Sequence, residues 1–283
     1  MKKFLVLVSL LITACSVQDA RNIGDFRLRG IANGTKVPRA EGKLFGAVLG
    51  LQIGRGICTG THVGGKFILT AWHCIGMAIA RNGGAPVPFT VVSPAGPVAF
   101  EISENAYRVH YPKAEDYILM GDGSGGKIKV PQPDVALIEI KAAPEEFLAI
   151  PNAKIASTSA DDVTGKFTIA GYGVNSFSKE LGTSGELFKA PAEIKKSDSI
   201  FHYLIWIEGW GTGSAMPGDS GGPLMVFSNG VPVVYGVLSG GVEINEKGEQ
   251  VEKGQATAVA MNRYSRLDTS TMRDFFVSTM KLR

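Results

Sequence analysis

The segment 216–223, with the sequence Met-Pro-Gly-Asp-Ser-Gly-Gly-Pro, is the feature that most restricts how this 283-residue chain can fold. Glycines on both sides of Ser220 allow the backbone to turn sharply and to present one hydroxyl group to a cleft. A serine hydroxyl is a weak nucleophile until a neighbouring base accepts its proton. The rest of the chain must therefore bring a base, and a group that orients this base, close to Ser220.

Two other segments contain such groups. The sequence Leu-Thr-Ala-Trp-His-Cys contains His73, and the sequence Pro-Asp-Val-Ala-Leu-Ile places Asp134 directly before an apolar strand. Asp116 and Asp122 compete for the acidic role, and an aspartate before a strand often only caps a turn. Asp134 is preferred because it alone leads into the apolar run Val-Ala-Leu-Ile. The other histidines are predicted to be satisfied core or surface residues: His62, His110 and His202.

In the order His, Asp, Ser, these segments resemble the chymotrypsin/trypsin family of serine proteases, whereas unrelated folds carry the same residues in other orders. The resemblance implies that His73, Asp134 and Ser220 are catalytic and that the amides of Gly218 and Ser220 form an oxyanion hole. It also implies an all-β fold of two six-stranded antiparallel β-barrels, with the active site between them and a short C-terminal helix. The expected reaction is hydrolysis of protein or peptide substrates through an acyl-enzyme.

The distribution of glycine and proline along the sequence agrees with an all-β fold. Short apolar runs alternate with turn residues, which include many of the 36 glycines and 14 prolines of the chain. This pattern is typical of sandwiches and barrels. The resemblance to the protease domain covers residues 31–283. We predict a first barrel at about 31–145, a second barrel at about 150–267 and a C-terminal helix at about 269–283.

Two local predictions accompany these boundaries. The glycine-rich segment 116–129 is predicted to be an inserted surface loop just before Asp134. In the tail, apolar residues recur at helical spacing, and Thr269 or Ser270 is the expected N-cap of the helix.

The N-terminus is typical of an export signal. Lys2 and Lys3 precede an apolar run, and small residues follow up to Cys15, so residues 1–15 are predicted to be a signal peptide too short to span a membrane stably. The sequence Ile-Thr-Ala-Cys resembles a bacterial lipobox, in which Cys15 is lipidated; the alternative is a plain secretory signal. Ser16 after the cysteine resembles outer-membrane sorting. We therefore expect a lipoprotein of the bacterial outer membrane or cell surface, or a protein secreted after processing.

The remaining cysteines fit an exported protein, in which a disulfide can persist. Cys58 and Cys74 resemble the family's disulfide that braces the histidine loop. If Cys15 is lipidated, none of the three cysteines is left as a free thiol.

An activation site is a further expectation. Residues 16–30 are predicted to be a linker or short propeptide, and the sequence Ile-Ala-Asn-Gly-Thr that begins at Ile31 resembles the N-terminus that family zymogens expose. In relatives the freed amine pairs with the acid before the catalytic serine, here Asp219. The implied cut, Gly30–Ile31, lies one residue beyond Arg29, so the activating protease is not identified. The alternative is an unprocessed first strand.

The substrate pocket departs from the trypsin pattern. The sequence Ser239-Gly240-Gly241 resembles the strand that binds the substrate backbone and forms one wall of the pocket, and Ser239 would also support the catalytic aspartate. The resemblance implies that Ser214 lies at the pocket base, where trypsin-like enzymes carry Asp. Cleavage after Arg or Lys is therefore disfavoured, and an uncharged, apolar residue before the scissile bond is expected.

Other function classes receive little support from the sequence. No His, Cys or carboxylate set has metal-ligand spacing, so no metal or cofactor is predicted. A formal net charge of +3 without a basic cluster gives no support to nucleic-acid binding. An inactive protease homologue that acts as a surface binding protein is the alternative from another class. An esterase with the same catalytic residues is the alternative among enzymes.

Overall fold

The computed structural model describes residues 31, 34–54, 56–94, 99–121, 125–173, 186–194, 203–208, 215, 218–244 and 259–281. The predicted signal peptide with Cys15, the linker, Ser214 and Asp122 lie outside these residues. In the part of the chain that the structure describes, no helix is long and apolar enough to cross a membrane.

The N-terminal half forms an antiparallel sheet of seven described strands. Its strands, in chain order, are β2 (Val48–Ile53), β3 (Gly56–His62), β4 (Phe67–Thr70), β5 (Phe89–Val92), β6 (Ala99–Ile102), β7 (Tyr107–His110) and β10 (Ala136–Ile140). The spatial order β6-β5-β2-β3-β4-β10-β7 places β4 beside β10. The end of β4 and the start of β10 consequently lie next to each other.

The C-terminal half forms a second sheet of eight described strands. Its strands are β1 (Thr35–Lys36), β11 (Lys154–Ile155), β12 (Phe167–Gly171), β13 (Phe188–Ala192), β14 (Leu204–Glu208), β15 (Pro223–Ser228), β16 (Val231–Ile244) and β17 (Val259–Arg266). The spatial order is β1-β13-β12-β15-β16-β17-β14, with β11 parallel to β16. Without the two-residue strands β1 and β11, six longer antiparallel strands remain. The all-β, two-barrel prediction is confirmed.

Each sheet encloses an apolar core, and the first core reaches the second sheet. Leu49, Leu51 and Leu137 are fully buried in the first core, whose cluster also contains Met225 and Val237 from the second sheet. Burying such a side chain stabilises the fold by about 1.5–3 kcal/mol. This shared packing fixes the two sheets against each other, so residues at their junction are held in a defined geometry.

Two elements differ from the sequence predictions. The segment expected to be a surface loop forms a hairpin of β8 (Asp116–Gly121) and β9 (Lys127–Gln132). It packs on a helix that was not predicted, α1 (Trp72–Arg81), through Met77, Met120 and Val130. The loop prediction is wrong because alternate residues of the hairpin face this small apolar cluster, a tertiary contact that the glycine content concealed.

Two short helices follow the first and second sheets. Helix α2 spans Glu145–Leu148, and helix α3 spans Ser270–Met280. Thr269 is the N-cap of α3, since its Oγ1 accepts a hydrogen bond of 3.3 Å from the amide of Met272. The C-terminal helix is therefore confirmed, and Met272 and Phe276 bury its apolar face against the first core.

A charged cluster on β10 makes stability depend on pH. Glu139 accepts hydrogen bonds from Lys66 at 2.6 Å and His110 at 2.7 Å, and these contacts, Lys66 first, lower the pKa of Glu139 from 4.5 to about 2. Because the pKa is lower in the folded state, the stabilisation is complete above the unfolded pKa. It disappears as pH falls towards 2.

We expect Glu139→Gln to lower the free energy of unfolding by about 1 kcal/mol at pH 6, since the half-exposed Lys66 weakens the pair. At pH 3 the difference from the unmodified chain should be clearly smaller. Urea denaturation at both pH values measures it, with Glu145→Gln on the exposed face of α2 as the matched control. A deficit of equal size at both pH values would contradict the assignment.

Candidate active site

The sheet register brings His73 and Asp134 together. Ala136 on β10 pairs with Thr70 on β4 in an antiparallel ladder. Asp134 therefore precedes one strand at the point where the other ends and the chain turns into helix α1. The short connection from Thr70 to His73 places the histidine at the N-terminal turn of this helix, facing the carboxylate.

Asp134 is fully buried and binds His73 at two points. Its Oδ2 lies 2.7 Å from Nδ1 of the imidazole, and its Oδ1 accepts a hydrogen bond of 2.9 Å from the backbone amide of His73. Ala71, at the N-cap position, provides no side-chain cap for α1. The aspartate takes that role, and the positive end of the helix dipole favours its negative charge.

Two serines from the second sheet hold the same aspartate. Ser239 Oγ donates to Asp134 Oδ2 at 2.8 Å, and Ser265 Oγ accepts from the Asp134 amide at 3.0 Å. A shift of register between Leu238 and Gly240 interrupts the pairing of β16 with β17 at Ser239. The predicted contact between Ser239 and Asp134 is present in the structure.

The turn that carries Ser220 is attached to both sheets. Thr59 on β3 donates its amide to the Ser220 carbonyl at 2.7 Å and its hydroxyl to the Gly218 carbonyl at 3.0 Å. The Gly222 amide donates to the Asp219 carbonyl at 2.8 Å, which fixes the peptide plane that also carries the Ser220 amide. Ser220 is partly exposed, whereas Asp219 is buried.

Backbone geometry explains the glycines of this turn. Gly218 has φ of 97° and Gly221 has φ of 83°, a region that other residues rarely adopt. A Cβ at Gly221 would also lie 2.2 Å from the Thr59 carbonyl oxygen and from Thr70 Oγ1. The turn can therefore contact β3 and β4 this closely only with glycine at position 221.

The predicted activation residues occupy buried positions in the uncut chain. Ile31 packs in the core of the second sheet, and its carbonyl accepts from the Gly34 amide at 2.7 Å. The Asp219 carboxylate accepts a hydrogen bond of 2.6 Å from the Gly173 amide. Gly171 and Gly173 approach this carboxylate so closely that a Cβ would be 2.2 and 2.7 Å from it. The pairing of a freed Ile31 amine with Asp219 stays a prediction.

The predicted disulfide joins Cys58 on β3 to Cys74 on α1, with their Cα atoms 6.2 Å apart. It fixes the start of the helix that carries His73. The ligand atoms of these cysteines and of His73 all lie within 4.8 Å of one another. The disulfide removes both thiolates, so this cluster does not have the donors of a metal site.

Three residues that were predicted to bind substrate lie on strand β16: Ser239, Gly240 and Gly241. Their role in substrate binding stays a prediction. The described histidines outside the site have structural partners, as expected. His62 is buried between the carbonyls of Ile150 and Gly65.

Sequence reasoning missed three residues that support the site: Thr59, Ser265 and Arg263. Thr59 Oγ1 accepts a hydrogen bond from the Tyr172 amide and donates one to the Gly218 carbonyl in the Ser220 turn. Arg263 Nη2 donates a hydrogen bond to Ser239 Oγ. None of them lies in a recognisable motif, because each acts through a strand register that the sequence does not reveal.

The family comparison decides the assignment. The family model described as Trypsin matches residues 33–264. The chain belongs to the trypsin family. Among solved structures, this trypsin-family chain is similar to one titled HL collagenase, with a TM-score of 0.56 and 19% identity, covering 89% of this chain and 99% of that chain. At this identity the likeness shows the fold alone. A comparison with curated proteins found no match.

Proposed function

We propose that this trypsin-family protein is an exported serine endopeptidase in which Ser220, His73 and Asp134 act together. The observation that carries the proposal is the buried Asp134, which binds both the backbone amide and Nδ1 of His73. This arrangement leaves Nε2 as the ring nitrogen available to accept a proton. The turn with Ser220 is held by β3, the same strand that is joined to α1 by the disulfide.

The first half of the proposed reaction forms the acyl-enzyme. Ser220 Oγ bonds to the carbonyl carbon of the substrate while its proton passes to His73 Nε2. The carbonyl electrons move to oxygen, and the imidazolium is stabilised by Asp134. When the C–N bond breaks, the same proton leaves with the amine, and water repeats the sequence to release the acid.

The amides of Gly218 and Ser220 are proposed to bind the oxygen on which negative charge develops. Each such donor contributes on the order of 3 kcal/mol to lowering the barrier. The fixed Asp219 carbonyl supports this role, since it orients the Ser220 amide before substrate arrives.

Export and processing complete the proposal. Lipidation at Cys15 would anchor the protein to a membrane, and a cut at Gly30–Ile31 by an activating protease would both release and activate it. The buried carboxylate of Asp219, which accepts a hydrogen bond from the Gly173 amide, would neutralise the charge of a freed Ile31 amine. We further propose cleavage after an uncharged, apolar residue, because Ser214 replaces the Asp of trypsin-like enzymes.

A fluorophosphonate probe tests the proposal. We expect it to label Ser220 in protein that begins at Ile31, and to label neither Ser220→Ala nor His73→Ala. A peptide library should then show cleavage after apolar residues. Intact-mass analysis of the full chain and of the labelled species reports which N-terminus is active.

The controls separate the remaining possibilities. Ser228→Ala, on β15 outside the site, should be labelled normally. Absence of labelling in correctly folded protein that begins at Ile31 would favour the inactive homologue that acts as a surface binding protein. An active species that retains residues 16–30 would contradict the processing step alone. Turnover of small esters without cleavage of any peptide would favour the esterase.

A further inference from the structure

A buried arginine lies behind the Ser239–Asp134 pair. Arg263 on β17 is 3% exposed, and its Nη2 donates to Ser239 Oγ across 3.4 Å. Ser239 Oγ in turn lies 2.8 Å from Asp134 Oδ2. The pairing of Gly240 with Arg263 after the register shift brings the arginine to this position.

The polarity of these hydrogen bonds is fixed by chemistry. A guanidinium group only donates, so the Ser239 hydroxyl must accept from Arg263. The single proton of this hydroxyl is then directed to the Asp134 carboxylate. Arg263 therefore orients Ser239 towards Asp134 and also places a positive charge one side chain away from it.

Asp134 is the anion that faces Arg263. Burial lowers the pKa of Arg263, and the negative charge of Asp134 acts in the opposite direction. Burial raises the pKa of Tyr203 to about 12, so Tyr203 is neutral at neutral pH. The charges of Glu115, just before β8, and of Asp116, at its start, raise the pKa of Tyr203 further. Among the described residues, His73 on α1 is a titratable group in direct contact with Asp134.

Keeping a charged residue at this position has an energetic cost. Within the described part of the chain, Arg263 Nε is buried and has no hydrogen-bond partner. A buried donor without a partner is unfavourable, and an apolar side chain of similar length would avoid this cost. Stability alone therefore does not explain an arginine at position 263.

We propose that Arg263 is a positioning residue that supplies a permanent counter-charge to Asp134 through Ser239 and competes with His73 for this carboxylate. The proposal rests on the proposed function for the catalytic roles of His73 and Asp134, but the charge interaction itself requires only the fold. With Arg263 present, the imidazolium formed during the reaction shares Asp134 with a second cation. His73 therefore returns its proton to the leaving amine more readily.

The test is an NMR titration of His73 in the full chain, carried out in a Ser220→Ala background. Removing the cation in Arg263→Met should raise the titration midpoint of His73 by about one pH unit, because a neighbouring positive charge disfavours imidazolium. Arg263→Lys keeps the charge and should restore most of the original midpoint. Arg266→Met is the matched control, since Arg266 ends the same strand but pairs with Asp268 and Asp161.

These readouts separate the inference from the proposed function, since the titration does not require a cleaved peptide. A folded Arg263→Met with the original midpoint would overturn the inference, as would an equal rise in Arg263→Lys. If Arg263→Met does not fold, Arg263→Gln keeps a donor for Ser239 without the charge, and the same rise is expected. A rise of equal size in Arg266→Met would also overturn it, because the effect would then not be specific to Arg263.

Discussion

Ser220→Ala is expected to reduce kcat on a cleaved peptide about a million-fold, the loss found when a serine or histidine acts as part of one catalytic unit. His73→Ala should cost about as much as Ser220→Ala. The double variant should be scarcely worse than either single variant, because Ser220 without a base and His73 without a nucleophile are both ineffective. Steady-state kinetics on the best library peptide, with active-site titration of each preparation, measures the three losses.

A matched histidine variant makes this result specific. His110→Ala removes an imidazole on the edge strand β7 of the first sheet, where it pairs with Glu139 of β10. Its effect should be confined to stability, with kcat within about twofold of the unmodified enzyme, because substitutions away from the site rarely disturb it. If His73→Ala and Ser220→Ala had independent, additive effects, the two side chains would not form one unit. Activity within tenfold in Ser220→Ala would refute the assignment of the nucleophile.

Much of the fold could be predicted because its strands carry their own local signals. The apolar run after Asp134 became β10, and other short apolar runs of the sequence became strands such as β12, β14 and β15. Strand and turn residues alternate strongly enough for an all-β assignment without any tertiary information. The resemblance then supplied the pairing of the motifs, which strand signals alone cannot provide.

The missed features depend on contacts between distant segments. Helix α1 contains Gly76, and its N-terminus is capped by Asp134 from a distant segment, so no local capping residue marked its start. The hairpin of β8 and β9 is stabilised by packing on that helix. Arg263 is near Ser239 only because of the register shift in β16. Local sequence patterns do not encode such registers.

Asp134→Asn is expected to lower kcat about ten-thousand-fold near neutral pH while leaving the fold intact, the effect of a wrong histidine tautomer. The geometry determines how the amide would sit. The His73 backbone amide can only donate, so it retains the carbonyl oxygen of Asn at the position of Oδ1. The NH2 group must then face Nδ1, which has to become the acceptor. The proton moves to Nε2, and His73 can no longer accept the proton of Ser220.

Asp116→Asn is the matched control, because Asp116 was the competing acid and lies exposed at the start of β8. Its kcat should remain within about twofold, as expected for a surface position. Nitrogen NMR of His73 reports the tautomer directly in both variants. We expect the proton on Nε2 in Asp134→Asn and on Nδ1 in Asp116→Asn. An Asp134→Asn enzyme that kept the Nδ1 tautomer and still lost activity would show that the carboxylate acts through its charge. That outcome would move the main role of Asp134 from orienting the imidazole to stabilising the imidazolium.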